Sequence, residues 1–572
     1  MTTKSLVAAL AAATTLAGAA GAHAHTGAQG DRTYRTAPTK ADKKAGAVDV
    51  QLLTVSDWHG QLTPVNVQGV GDVGGAPVLK AYFRQAERAN PNTLTFMAGD
   101  SVGATPPISS AFADEPAIQA MNMLGVDADT LGNHNFDAGV ERARRHIELA
   151  SFPFVSANLS GLERELPGAA PWRMLHAGDV RVAVIGITNE EAPTLVAPGA
   201  LGSMQVTDGV AAANRAAKQA RKAGADATVV LTHKGIRGMT PDGRAFGELI
   251  DFTEAVDGKL VDVVVGDHTD FQYSGTHGGV LAVENRSKGL SFASITMAVD
   301  RKKGVLSKGV QFRTPLASGV TPDAELQRYV DDLNTRLRPI LGRVIGDSAV
   351  QVLRTDACGN TASRLCESLV GNTVTDALRE TYGTQLALTN SGGLRAALTC
   401  PAAGTGGFCP ESSATPFPIT RGSVLGVLPF GNVSATGTLS GEEVKAFLEH
   451  GLSSLPGANG RFPQVSGLCV AYDIAAPAGS RVTRMVLQAA DGSCTGAPIT
   501  SGTTYSVTTN DFTASGGDGY PNVLAKFTTR GIMDADVASW IEGKGTIRPS
   551  IQGRIACTDG NGDALPNCAP QA

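Results

Sequence analysis

Between residues 48 and 315 the chain alternates short β-branched runs, VDVQLLTV, NTLTFMAG, VRVAVIGI, ATVVLTH and LVDVVVGD, with helix-like stretches such as VLKAYFRQAERA and DGVAAANRAAKQARKAG. Strands interleaved with helices imply an α/β layer architecture. The polar residues hold a consistent place in that pattern. QLLTVS runs into Asp57-Trp58-His59, LTFMAG into Asp100, DADTLG into Asn133-His134, TVVLT into His233, and VDVVVGD into His268-Thr269-Asp270. Each run thus delivers Asp, Asn or His at its carboxyl end, the edge at which α/β sheets bind ligands. In extended backbone, residues i and i+2 point to one side, so Asp57 and His59 can reach one ion. One histidine after a strand is usually an ordinary hydrogen-bonded residue; five polar termini in the same topological place point to a metal centre. Carboxylate, amide and imidazole ligands together suit borderline or hard divalent ions. Two such ions about 3.5 to 4 Å apart clamp an in-line phosphoryl displacement. The chemistry indicated is metal-assisted phosphoester hydrolysis.

With 572 residues, 42% of them apolar and 18% charged, the chain can bury a large core and is long enough for two or more domains. A formal net charge of −5 leaves no basic footprint, so a nucleic-acid polymer is not an expected partner. The N-terminus reads as a secretory signal: Lys4, an apolar run from Leu6 to about Ala20, and a small-x-small cleavage site at Ala22-His23-Ala24. Residues 25 to 47 are polar and expected to be disordered. No apolar anchor closes the C-terminus, so the mature chain is expected to be exported and soluble, with no membrane anchor. All eight cysteines lie between Cys358 and Cys568. An even count in an exported chain reads as disulfides, with nearest neighbours paired: Cys358 with Cys366, Cys400 with Cys409, Cys469 with Cys494, and Cys557 with Cys568. Zinc binding is the weaker reading, because CxxC spacing is missing.

The cysteine boundary also marks a change of domain. Residues 321 to 341 open with a threonine cap and an early proline and then keep helical periodicity, which predicts a connecting helix. The expected division is a signal peptide over 1–24, an α/β domain over 48–320, a linker helix over 321–342 and an α+β domain over 343–572. Gly69-Val-Gly71-Asp-Val-Gly74 matches GxGxxG, but the preceding QLTPVNVQ contains a proline and does not read as a buried strand, so a dinucleotide site is not expected.

SDWHG, AGDSVGATPP, GNHNFDAG, LTHKG and GDHTD, in that order, resemble the dinuclear calcineurin-like phosphoesterase core of the secreted 5′-nucleotidase and UDP-sugar hydrolase family. RLCESLVGN, NSGGLR, VLPFGN and SGGDGYP resemble its C-terminal substrate-binding domain. The resemblance covers nearly the whole mature chain. It implies a four-layer α/β/β/α metallophosphoesterase domain, a connecting helix and an α+β substrate-binding domain. It further implies two divalent metal ions, with Mn, Zn, Mg and Ca all open. Asp57, His59, Asp100 and Asp270 would hold one ion. Asp100, Asn133, His233 and His268 would hold the other, with Asp100 bridging. His134 would face the substrate phosphate, with Asp137 accepting from its other ring nitrogen, and the nucleophile would be a metal-bound water.

The family usually carries His or Gln where this chain has Asp270. A third carboxylate at that site would favour Mn, Mg or Ca over Zn, unless Asp270 turns away. In the second domain the resemblance places Phe430 and Phe512 around a nucleobase. Arg364, Asn390 and Arg395 would contact phosphate or base, and Asp518 the ribose. The activity implied is removal of the 5′-phosphate from nucleoside monophosphates by an exported enzyme. The alternatives are a 2′,3′-cyclic-nucleotide phosphodiesterase or nucleotide-sugar pyrophosphatase on the same scaffold, and a non-catalytic surface binding protein. The oligomeric state is not readable from the sequence.

Overall fold

The β-branched runs become strands of two sheets. The structure is a computed structural model that describes residues 46–67, 70–240, 242–401, 408–410 and 414–558. The expected signal segment, almost all of the polar stretch after it, and the proposed pairing of Cys557 with Cys568 lie outside the described residues. Two compact units form: one from residues 46–105 and 113–332, the other from 106–112 and 333–558.

The main strands of the first unit are β1 (Val48–Val55), β2 (Thr93–Met97), β3 (Trp172–Ala177), β4 (Val180–Ile187), β5 (Ala227–Thr232), β6 (Val263–Gly266), β7 (Tyr273–His277), β8 (Val280–Glu284), β9 (Phe292–Asp300) and β10 (Gly304–Arg313). They pair in the orders β10-β9-β1-β2 and β7-β8-β6-β5-β4-β3. In the second sheet β4, β5, β6 and β8 run parallel, and the antiparallel strands β3 and β7 form its edges. Strand periodicity sorts the side chains. Val229 and Leu231 of β5 join Leu52, Phe96 and Ile295 of the other sheet in one buried core, whereas Val230 faces Ala213 and Ala217 of α2 (Gly209–Lys222) and Leu249 of α3 (Glu248–Ala255). Earlier in the chain α1 (Ala76–Ala89) buries Phe83, whose ring lies 5.4 Å from that of Phe292. The result is the expected α/β/β/α layering.

Gly71 and Gly74 of the GxGxxG match sit in and just after a short hairpin, Val65–Val67 paired with Gly71–Val73, rather than after a buried strand, and Gly69 lies outside the described residues. A Cβ on Gly74 would come 2.9 Å from the Gly289 carbonyl, so close chain approach explains that glycine.

The connecting helix α4 spans Ala324–Leu341. Its cap is Asp323, which accepts from the Leu326 N–H at 3.1 Å and is paired with Arg84, and not the threonine at 321 expected from the sequence. The unit boundary falls inside this helix. Pro106–Phe112 joins the second unit because Ala111 and Phe112 pack against Leu337, Leu341, Phe408 and Leu425.

In the second unit α5 (Leu369–Tyr382), β11 (Leu386–Asn390), β12 (Val433–Ser440), α6 (Gly441–Leu452), β13 (Pro463–Ser466), β14 (Thr504–Asn510), β15 (Phe527–Ile532) and α7 (Met533–Lys544) make a five-stranded sheet, ordered β13-β11-β14-β12-β15, with helices on both faces. Val374 of α5 and Ile541 of α7 share one core, and Phe447 and Leu448 of α6 another. Ser368 caps α5 and a Ser440–Glu443 capping box opens α6. Disulfides join Cys358–Cys366, Cys400–Cys409 and Cys469–Cys494, as nearest-neighbour pairing predicts. Among the described residues no helix is long and apolar enough to cross a membrane.

Candidate functional site

Asp100, just past β2, is the centre of a buried polar cluster. Its Oδ2 lies 2.9 Å from His233 Nε2, past β5, and its Oδ1 accepts the His134 N–H at 2.8 Å. Two sets of side chains share it, His59–Asp100–His134 and Asp100–His233–His268, and a third, Asp57–His233–Asp267, shares His233 with the second. Within each set the potential ligand atoms lie within 4.8 Å of one another. His59 Nδ1–H donates to the Gly103 carbonyl at 2.8 Å, which leaves Nε2 for the cluster, 3.8 Å from Asp57 Oδ1. His233 Nε2 and His268 Nδ1 face each other at 3.0 Å.

The donor set fits divalent cations. Asn133 is buried, and its Oδ1 has no hydrogen-bond partner. A neutral oxygen orphaned one residue before His134, whose own N–H is held by Asp100, is the kind of atom a cation satisfies. The backbone is strained in the same place: Asp57, His59, Asp100 and His268 have φ of 43°, 48°, 43° and 92°. Left-handed conformations at non-glycine residues persist only where surrounding structure enforces them, and they concentrate at functional sites.

Charge is distributed unevenly within the cluster. Burial pushes the Asp100 carboxyl up, but the charges of His233, His134 and His59 and the hydrogen bond from His233 outweigh it and hold Asp100 well below the usual carboxylate range. For His233 burial opposes the charged form, and Asp100 and Asp267 together raise its pKa well above the ordinary imidazole value. Burial pushes the carboxyls of Asp57 and Asp267 up.

His134 Nδ1 lies 2.8 Å from Asp137 Oδ2, the pairing expected from the sequence, and the His59 and His134 rings meet edge to face at 5.1 Å. Gly103 is wedged between these groups: with φ +77°, a Cβ there would overlap the His134 carbonyl and come 2.8 Å from Asp137 Oδ2.

Asp270 does not join the cluster. Its Oδ1 accepts the Ser287 N–H at 2.8 Å and faces Arg286 Nε at 3.4 Å, and the side chain is 46% exposed. The acidic side chain that does face the centre is Asp267, which the sequence reading missed. It is fully buried, accepts the His268 N–H at 2.8 Å and lies 3.5 Å from His233 Nδ1. The available signal was its place as the last residue of VDVVVGD, the apolar run that already pointed to His268.

Of the six residues predicted in the second unit, two pairs meet directly, Asn390 with Asp518 and Arg395 with Phe430. Asn390, at the end of β11, donates Nδ2–H to Asp518 Oδ2 at 2.7 Å, and Asp518 is itself left-handed at φ 54°. His450, missed in the sequence, donates from Nε2 to the Asp518 carbonyl at 2.9 Å and so supports that turn. The Arg395 guanidinium carbon lies 5.5 Å from the centre of the Phe430 ring. Asp511, also missed, ties the two aromatic segments together: its Oδ1 accepts from Val433 N at 3.1 Å, close after Phe430, and from Phe512 N at 2.9 Å. Arg364 lies on a loop organised by Asp356, whose carboxylate accepts backbone N–H groups from Cys358, Asn360, Leu365 and Cys366. The preceding residue, Ser363, is tied to the Asn390 segment through the Ser391 hydroxyl.

Residues 344–526 match the family model for the C-terminal domain of 5′-nucleotidase. The human protein named 5′-nucleotidase is 26% identical over 564 residues, covering 90% of this chain and 92% of that one. Endonuclease YhcR of Bacillus subtilis is 27% identical over 82% of this chain, which spans only 37% of that relative's length. Among solved structures, the 5′-nucleotidase precursor from Thermus thermophilus superposes with a TM-score of 0.74 at 27% identity, covering 89% of this chain and 99% of the other.

Proposed function

Because the chain belongs to the 5′-nucleotidase family, we propose that it is a metal-dependent phosphohydrolase that removes the 5′-phosphate of nucleoside monophosphates. The observation that carries this reading is the convergence of Asp57, His59, Asp100, His233 and His268, supported by the buried, unpartnered oxygen of Asn133 next in sequence to His134. Two divalent ions, when bound, would polarise the phosphoryl group and lower the pKa of an attacking water.

The chain's own residues do the rest. Asp100 belongs to two ligand sets and can bridge them. Gly103 and Asp267 face Nδ1 of His59 and of His233, so that Nε2 of each is the nitrogen turned toward the cluster. Asp137 holds Nδ1 of His134, so the opposite nitrogen can donate to a phosphoryl oxygen as charge develops there. In the second unit Phe430 and Phe512 are assigned to the base, Asn390, Arg364 and Arg395 to phosphate or base, and Asp518 to ribose. A permanently charged fork suits arginine to the phosphate.

Three disulfides favour an oxidising compartment and so support export through residues 1–24. The substrate assignment is tested by chelator-sensitive phosphate release from AMP, UDP-glucose and 2′,3′-cyclic AMP side by side. AMP should be the best substrate. Preference for UDP-glucose or the cyclic nucleotide would replace the substrate class, and no turnover of any would favour a binding protein.

A further inference from the structure

Glu284 ends β8 with its side chain fully buried, and the chemistry proposed above does not use it. Its register partner is Gly266, the last residue of β6, and β5 lies next beyond β6 in the sheet. The carboxylate therefore stands beside the ends of both strands that deliver His233 and His268. Oε2 accepts the N–H of Ile236, three residues past His233, at 2.8 Å. Oε1 accepts the Thr269 hydroxyl at 2.7 Å and the Phe271 N–H at 3.3 Å, one and three residues past His268.

We propose that Glu284 is a positioning residue that clamps the His233 and His268 loops together, holding the two imidazoles at the separation a shared cation requires. The inference rests on the metal-binding reading of that cluster. Backbone packing supports it independently. Asp267 N–H donates to the Lys234 carbonyl at 3.0 Å, directly joining the same loops. A Cβ on Gly235 would overlap Thr269 Oγ1 and lie 2.6 Å from the Asp267 carbonyl, so the loops meet with no side chain between them. Removing the carboxylate strands the buried Ile236 N–H and takes the shared acceptor from the partly buried Thr269 hydroxyl and Phe271 N–H, so the two loops lose a group that ties them together. Outer partners of metal-ligating histidines typically change metal affinity 10- to 100-fold when lost.

The test titrates metal-depleted wild type, E284Q, E284A and V283A with Mn²⁺ by calorimetry, and records the visible spectrum of each Co²⁺ form. E284A should bind Mn²⁺ about 10- to 100-fold more weakly, with an altered Co²⁺ spectrum. E284Q keeps one acceptor oxygen and should lose less. V283A opens a cavity in the neighbouring core without touching either loop, so it should lower Tm yet keep the wild-type affinity. Should E284A not fold, T269V removes one of the three donors and must itself weaken Mn²⁺ binding. Wild-type affinity in E284A or T269V, or a parallel loss in V283A, overturns the clamp. A wild-type chain that binds no Mn²⁺ overturns the metal reading and the clamp with it. Binding without AMP hydrolysis overturns only the substrate.

Discussion

Asp267 and Asp270 stand three residues apart and face different surroundings, one buried against His233 and the other half-exposed against Arg286 and Ser287. Metal analysis of D270N should therefore return the wild-type stoichiometry, whereas D57N should lose metal. Loss of metal in D270N would restore Asp270 to the ligand set. His134 and Asp137 pose a different test. Because Asp137 touches the imidazole and is assigned no ion, D137N should lower kcat by about 10² to 10⁴ with metal content unchanged. A variant that instead lost metal would make Asp137 part of the metal centre.

At the scale of elements, adjacent strands are stapled at the end away from the cluster. Asp226, just before β5, accepts from Arg181 N at 2.9 Å, Nε at 3.3 Å and Nη2 at 3.1 Å, and Arg181 sits near the start of β4. Burial pushes the Asp226 carboxyl up, but the bonds and charge of Arg181 outweigh it and depress the pKa. A depressed folded pKa contributes stability that is complete above the unfolded value, about pH 4, and is lost as pH falls through the folded value. D226N should cost about 1.5 kcal/mol at pH 7, the lower end for a charged hydrogen bond because Arg181 is partly exposed. The difference from wild type should shrink in acid, and kcat should not change. Urea unfolding at pH 7 and pH 3 checks the sign; a gap that grew in acid would refute it.

For the whole molecule, chemistry and specificity are assigned to separate units. If Phe430 and Phe512 hold the base, each contributes stacking on the order of 1 to 3 kcal/mol, tolerant of base identity. AMP, GMP, UMP and CMP should then share similar kcat/KM, with ribose 5-phosphate far poorer. F430A and F512A should lose efficiency on nucleotides and keep the residual rate on the base-free ester. An unchanged AMP rate after both truncations would remove the aromatic assignment. The units should also differ in redox sensitivity. All three described disulfides lie in the second unit, each closing a loop worth on the order of 2 to 4 kcal/mol. Limited proteolysis under reductant should cut that unit first, and first cleavage within 113–332 would contradict this.

Much of the site was readable in one dimension because it follows from local order. A strand carries its apolar run to the sheet edge, so Asp57, His59, Asp100, Asn133, His233 and His268 could be picked from where those runs stop. The cysteine pairs were equally local, closing loops of 8, 9 and 25 residues. What sequence order could not decide was direction and reach. The alternation that would put His268 and Asp270 on one side holds only in extended backbone, and left-handed φ of 92° at His268 and 54° at Asp270 breaks it, so His268 and its neighbour Asp267 both reach the cluster while Asp270 turns out. Asp323 displaced the threonine as cap of α4, and Glu284 reached two loops whose nearest contact lies 13 residues away in sequence. Each depends on chain segments brought together by the sheets, and a buried carboxylate is placed by whichever donors surround it after the core has closed.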